Sequence, residues 1–171
     1  MEALGFSVKV ADIPILMLHT SRREYLTLER SWSNDLHNEV AVKMRWYILE
    51  RFLEASITIL CCCPSSVKRI AALELECQVY SINRYQGREC DFSITVTTGM
   101  RMEKKRQNFN FILDAPRTTV ALSQTREGVV IVGDRELFVQ SDVWNEGYCG
   151  FLRGSSRRAR RLTICAEGSQ V

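Results

Sequence analysis

The 171 residues are 46% hydrophobic and 25% charged, with 9 glycines and 3 prolines. That balance excludes a disordered, collagen-like or coiled-coil chain and fits one soluble domain able to bury a core. A net charge of only +3 means that any attraction for a polyanion must come from how the charges are distributed.

Strands and helices alternate along the chain, and the strands are continuous apolar runs. Such runs fit a parallel sheet covered on both faces. Ile13–His19 reads as the first strand. Glu39–Leu53 follows as a helix, with Val40, Ala41, Met44, Ile48, Leu49 and Phe52 on one stripe and Asn38 as its N-cap. Ile57–Cys63 is a buried strand, which Pro64-Ser65-Ser66 punctuates while opening a helix to about Leu75. Gln78–Ile82 and Phe92–Thr98 are two more strands, separated by the loop Arg84–Cys90. Residues 99–110 read as an exposed connection. Pro116 suits the first turn of a helix running to about Arg126, with Gly128 as its stop. Val129–Val132 is the last buried strand, and Glu136–Trp144 reads as helical. The order implies a three-layer α/β fold on one sheet. The expected organisation is an extension at 1–11, one domain at 12–150 and a basic tail at 151–171.

Charge is concentrated in two places. Arg101, Lys104, Lys105 and Arg106 form one stretch, opposed only by Glu103; Arg153, Arg157, Arg158, Arg160 and Arg161 form another. They hold nine of the 23 basic residues, which leaves 14 basic against 19 acidic elsewhere. Each is either a solvated loop and tail or an approach for a polyanion. The seven cysteines include the run Cys61-Cys62-Cys63. No pair has C-x2-C spacing, and neither His19 nor His37 has a ligand-spaced histidine partner, so no metal site is expected. With an odd count and no secretory leader, buried reduced thiols in a cytoplasmic or nuclear protein are the expected reading. No segment is long enough to suggest a membrane span. Trp32, Trp46, Tyr47, Tyr85 and Trp144 could stack on bases, but Trp46, Tyr47 and Trp144 are read as core.

Two segments carry the chemistry: Ser81-Ile82-Asn83-Arg84-Tyr85-Gln86-Gly87-Arg88-Glu89-Cys90-Asp91, and Asp114 through Gly128 leading into Val129-Val130-Ile131-Val132-Gly133. The first resembles motif V, and the second motif VI, of superfamily 1 helicases of the nonsense-mediated-decay type. Ser31-Trp32-Ser33-Asn34 resembles the S-x-S-N segment before the first helix of the same domain, and 57–66 occupies the place of motif IV. The resemblance covers about residues 12–146 and implies a RecA-like (P-loop NTPase-type) fold, in the position of the second, C-terminal motor domain. It further implies that Gly87, Arg88 and Glu89 face ATP, Glu89 through the ribose hydroxyls, and that Gln86, Arg117 and Ser66 serve nucleic-acid contact or coupling. A glycine at 87 lets a ligand approach the backbone closely.

The chain departs from the pattern where charge matters most. The arginine finger, the cation that stabilises γ-phosphate charge and is worth about 10³-fold or more in rate, is replaced by Gln124. Arg126 is a possible substitute, but two residues along a helix correspond to roughly 200° of rotation. Asn83 stands for the motif V aspartate, and Cys61-Cys62-Cys63-Pro64 rewrites motif IV. No Gly is followed by Lys, and no Asp is followed by Glu; a phosphate loop and a magnesium box are therefore absent. ATP and Mg²⁺ are expected only together with a first RecA-like domain, supplied in cis or trans, and single-stranded RNA or DNA is the expected polymer. This chain alone is expected to be inactive. The alternative is a non-catalytic nucleic-acid-binding or interaction module that kept the fold and lost the motor.

Overall fold

The computed structural model describes residues 9–10, 13–20, 24–85, 87–98 and 124–134. In chain order these form β1 (Lys9–Val10), β2 (Ile13–His19), β3 (Tyr25–Leu26), β4 (Trp32–Ser33), α1 (Asp35–Leu49), β5 (Ile57–Cys61), α2 (Pro64–Leu73), β6 (Gln78–Ser81), a 3₁₀ turn (Ile82–Arg84), β7 (Cys90–Val96) and β8 (Thr125–Gly133). The main sheet runs β1-β2-β8-β7-β5-β6. Its five long strands are all parallel, and β1 joins the edge antiparallel to β2. β3 and β4 make a small separate hairpin.

Burial on both faces explains the continuous apolar runs. Ile57, Ile59 and Cys61 of β5, Phe92, Ile94 and Val96 of β7, and Val130 and Val132 of β8 share one core with Ala41, Met44 and Ile48 of α1 and Ile70 of α2. The alternate residues Leu60, Val129 and Ile131 are buried as well. Leu60 packs with Ile82, Tyr85 and Cys90 beneath the 3₁₀ turn. This is the α/β RecA-like domain the sequence implies. Both described helices feed the first core; the 116–126 helix expected as part of the remaining layer falls largely outside the described residues, as do the 99–110 connection and the 136–144 helix.

Three expectations need correction. The first helix spans Asp35–Leu49, and its N-cap is Asn34, whose side chain accepts from His37 N at 3.2 Å. Asn38 is instead fully buried inside that helix. The earlier start is favoured because Asp35 then meets the positive end of the helix dipole. Trp46 is not core: it is 48% exposed, with its indole N–H donating to Glu74 Oε2. Finally, Thr125, Arg126, Glu127 and Gly128 do not end a helix. They begin β8, and Gly128 pairs with Phe92 in the ladder.

Candidate functional site

The Ser81–Asp91 segment is fixed by anchors that sequence reading did not identify. Tyr85 is 2% exposed, and its hydroxyl donates to Thr58 Oγ1 on β5. The aromatic residue of the motif is thus a peg in the sheet, which removes it from the candidates for base stacking. Arg88 N–H closes the turn on the Tyr85 carbonyl, 3.2 Å away. Gly87 between them has φ +79°, a left-handed backbone that costs a side-chain-bearing residue about 1–2 kcal/mol. A Cβ built there would meet nothing within 4 Å. The glycine is required by the turn itself, and the space beside it is open.

After the turn the chain is clamped again. Asp91 Oδ2 accepts from Ser56 N at 2.8 Å and Ser56 Oγ at 2.7 Å, while Asp91 N donates to Ser56 Oγ. These bonds hold the Asp91 carboxyl below its usual pKa. The last acid of the motif therefore locks β7 to the residue preceding β5. Cys90 N donates to the carbonyl of Gln124 at 3.1 Å, and Thr125 Oγ1 donates to Ser93 Oγ at 2.8 Å. The register then slips: Cys90 pairs with Thr125 and Phe92 with Gly128, so three steps on β8 oppose two on β7. Such a bulge re-aims the side chains within it. Arg126 lies inside it, with Nη2 2.6 Å and Nε 3.1 Å from Glu89 Oε2. Both side chains are mostly exposed, 62% and 64%.

The N-terminal edge of the parallel sheet thus brings together Gly87, Arg88, Glu89, Gln124 and Arg126. The guanidinium of Arg88 lies against the Tyr80 ring, 4.9 Å from its centre, and donates to the Tyr80 hydroxyl. Gln124 is partly buried at the mouth of β8. The helical-rotation argument against Arg126 does not apply, because residue 126 is in a strand. Gln86 and Arg117 lie outside the described residues. An exposed carboxylate beside open space, with a guanidinium within reach, suits a ligand carrying both hydroxyls and phosphate.

Ser66 is not part of that edge. It sits in the first turn of α2, after the C-terminal end of β5, fully buried, its hydroxyl without a partner among the described residues. Around this opposite rim, Ser31 Oγ donates to Ser65 Oγ, Ser65 Oγ donates to the Trp32 carbonyl, and Cys63 Sγ donates to Thr98 O. His37 is 1% exposed, with Nδ1 3.0 Å from Thr98 Oγ1, and burial pulls its pKa from 6.5 to about 4. The Ser31–Asn34 segment is therefore tied to the start of α2 through Ser31, Trp32 and Ser65. Burial likewise pushes Cys61 far up and Cys63 and Cys77 to about 11. These thiols stay protonated and act as packing groups. Among the described residues, no helix is long and apolar enough to cross a membrane, and no three His, Cys, Asp or Glu side chains are grouped as metal ligands.

A family profile described as "AAA domain" (AAA_12) matches residues 5–136. The chain is also similar to Regulator of nonsense transcripts 1 homologs. It is 33% identical to that of Drosophila melanogaster over 70 residues, or 41% of this chain and 6% of the relative. To that of Arabidopsis thaliana it is 33% identical over 70 residues, covering 41% and 5%. To that of Neurospora crassa it is 30% identical over 70 residues, covering 41% and 6%. The matches span about one-twentieth of those much longer proteins. The chain belongs to the AAA domain family and is, within it, a helicase domain of the superfamily 1, nonsense-mediated-decay type.

Proposed function

We propose that the chain acts as the second, C-terminal motor domain of an ATP-dependent helicase-like protein, forming one wall of a nucleotide site shared with a first RecA-like domain. The observation that carries this reading is the meeting of Glu89 and Arg126 at one sheet edge, each delivered by a different motif. Glu89 would hold a nucleotide's ribose hydroxyls as a hydrogen-bond acceptor. Arg126, with Gln124 beside it, would face the phosphates, and Gly87 keeps the approach open. The chemistry supplied by ATP is phosphoryl transfer; this chain's part is positioning and charge. A phosphate loop and the carboxylate for Mg²⁺ must come from the first domain, in cis or trans. The opposite rim, where Ser31 is partly exposed, is the side we assign to single-stranded RNA or DNA; Ser66, fully buried there, supports the rim without touching the polymer.

The test is equilibrium binding of Mg-ATP to this chain alone and to the same chain joined to a phosphate-loop-bearing first domain. Weak binding alone and a large gain on joining are expected. Micromolar, Mg²⁺-dependent binding by the chain alone refutes the shared-site reading.

Gln124 specifically favours a second reading, a nucleic-acid-binding or interaction module without motor activity, since an uncharged finger position forfeits about 10³-fold in rate. Two measurements separate the readings. Gln124→Arg in the joined protein should raise hydrolysis if the site works. Salt-dependent binding of single-stranded RNA, lost when the arginines at 153–161 or the basic residues at 101–106 are replaced, would favour the module.

A further inference from the structure

Glu89 and Arg126 hold each other. Two guanidinium nitrogens converge on the single oxygen Oε2, and water screens the pair because both side chains are exposed. Their backbones, by contrast, are fixed. Cys90 is bonded to Gln124 O and Thr125 to Ser93, and the bulge between Cys90 and Phe92 orients residue 126. The strands keep the two charges adjacent while the side chains remain able to change partners. Of the neighbouring charged groups, Asp91 is engaged by Ser56 and Arg88 by Tyr80. The space beside Gly87, two residues from Glu89, is open.

We infer that the Glu89–Arg126 pair is a latch opened by the ligand: a vicinal diol takes over the Glu89 carboxylate, and the released Arg126 binds the same molecule's phosphate chain. This rests on the nucleotide reading above and deepens it in two ways. It puts a mobile cation where Gln124 leaves the site without a fixed one, and it sets a selection rule. A carboxylate can accept from two adjacent hydroxyls in place of two guanidinium N–H groups, and a displaced guanidinium is best matched by phosphate oxygens. Bare polyphosphate competes for Arg126 but offers nothing to Glu89. A nucleoside occupies Glu89 but leaves Arg126 without an anion. Only a ligand carrying both groups satisfies both sides, so ribose and phosphate are read together.

The test uses the full 171-residue chain, isotope-labelled, with the Arg126 Nε–H resonance identified by its loss in Arg126→Lys. ATP, a dideoxy-ATP lacking both ribose hydroxyls and inorganic tripolyphosphate are titrated at equal Mg²⁺. ATP is expected to shift the Arg126 resonance and to bind about fivefold more tightly than the dideoxy analogue, the scale of an exposed ion pair. Glu89→Gln should erase that preference and tighten tripolyphosphate by about the same factor. ATP binding that leaves the Arg126 resonance in place, or an unchanged tripolyphosphate affinity in Glu89→Gln, overturns the latch and leaves nucleotide binding standing. No response of any resonance of this chain to ATP at about 10 mM, a concentration that would reveal millimolar affinity, either alone or joined to a phosphate-loop-bearing first domain, overturns both.

Discussion

His37 lies in the first turn of α1, 1% exposed, against Thr98 at the end of the β7 strand segment. Burial is the dominant influence on its ring and lowers its pKa from 6.5 to about 4; the Thr20 carbonyl and Asp134 pull the other way, and His19 adds to the lowering. As pH falls, the unfolded chain takes up this proton near 6.5, while the folded chain refuses it until about 4. Stability is therefore greatest above 6.5, declines through that window and levels off below it. The decline is on the order of 3 kcal/mol. Urea denaturation at pH 7 and about pH 4.5, on the wild type and on His37→Gln, measures it. Groups titrating in both proteins cancel in the difference, and so does any packing lost with the ring. The wild type should lose on the order of 2 kcal/mol more than the variant on acidification. Equal losses would refute the assignment of a buried neutral imidazole.

Gly87→Ala should cost about 1 kcal/mol from its left-handed φ alone, since no atom obstructs a Cβ, and Gly87→Asn should cost less; a thermal melt in which Asn is as costly as Val contradicts this. Ser56→Ala removes two bonds of the clamp and should destabilise by about 1 kcal/mol. Because the Asp91 pKa is lowered, its contribution is complete above the unfolded carboxylate value of about 3.9 and is lost as pH falls through the lower folded one. Asp91→Asn should flatten the acid end of the stability curve, and an unaltered curve would show the clamp to be idle. Ile94→Ala, at a fully buried position in the middle of the sheet, should cost about 2–5 kcal/mol by urea titration, and a smaller loss would mean that the core is looser than described.

The interior strands were legible in sequence because burial on both faces leaves a largely apolar run, as at Ile57–Cys63, where the strand stops at Cys61, and Val129–Val132, the second half of β8. Ile13–His19 was recovered with its observed limits. What escaped were segments whose structure is set by partners distant in sequence. Thr125-Arg126-Glu127-Gly128 is polar and ends in glycine, which suits a helix terminus; only pairing with Cys90 and Phe92 makes it a strand. Asn34 and Asn38 are both good caps in isolation, and the choice fell to the one whose side chain meets His37 N. The two-residue strands of the β3–β4 hairpin are too short to leave a periodic signal. That Glu89 and Arg126 meet at one sheet edge was not legible, because the two segments lie far apart in sequence. Nor were the Tyr85 peg and the Ser56–Asp91 clamp, because Thr58 and Ser56 carry no signal until the fold places them beside the turn.

The most direct measurement is the preference for ATP over dideoxy-ATP in the joined protein, in the wild type and in Glu89→Ala, alongside the melting temperature. Because the carboxylate is exposed and, among the described residues, held by Arg126, the fold should be indifferent to its loss. Removing the acceptor of the ribose hydroxyls should abolish a preference of about fivefold, while the freed Arg126 keeps its phosphate contact. A preference lost at unchanged Tm agrees with Glu89 standing in a nucleotide wall; an undiminished preference contradicts it.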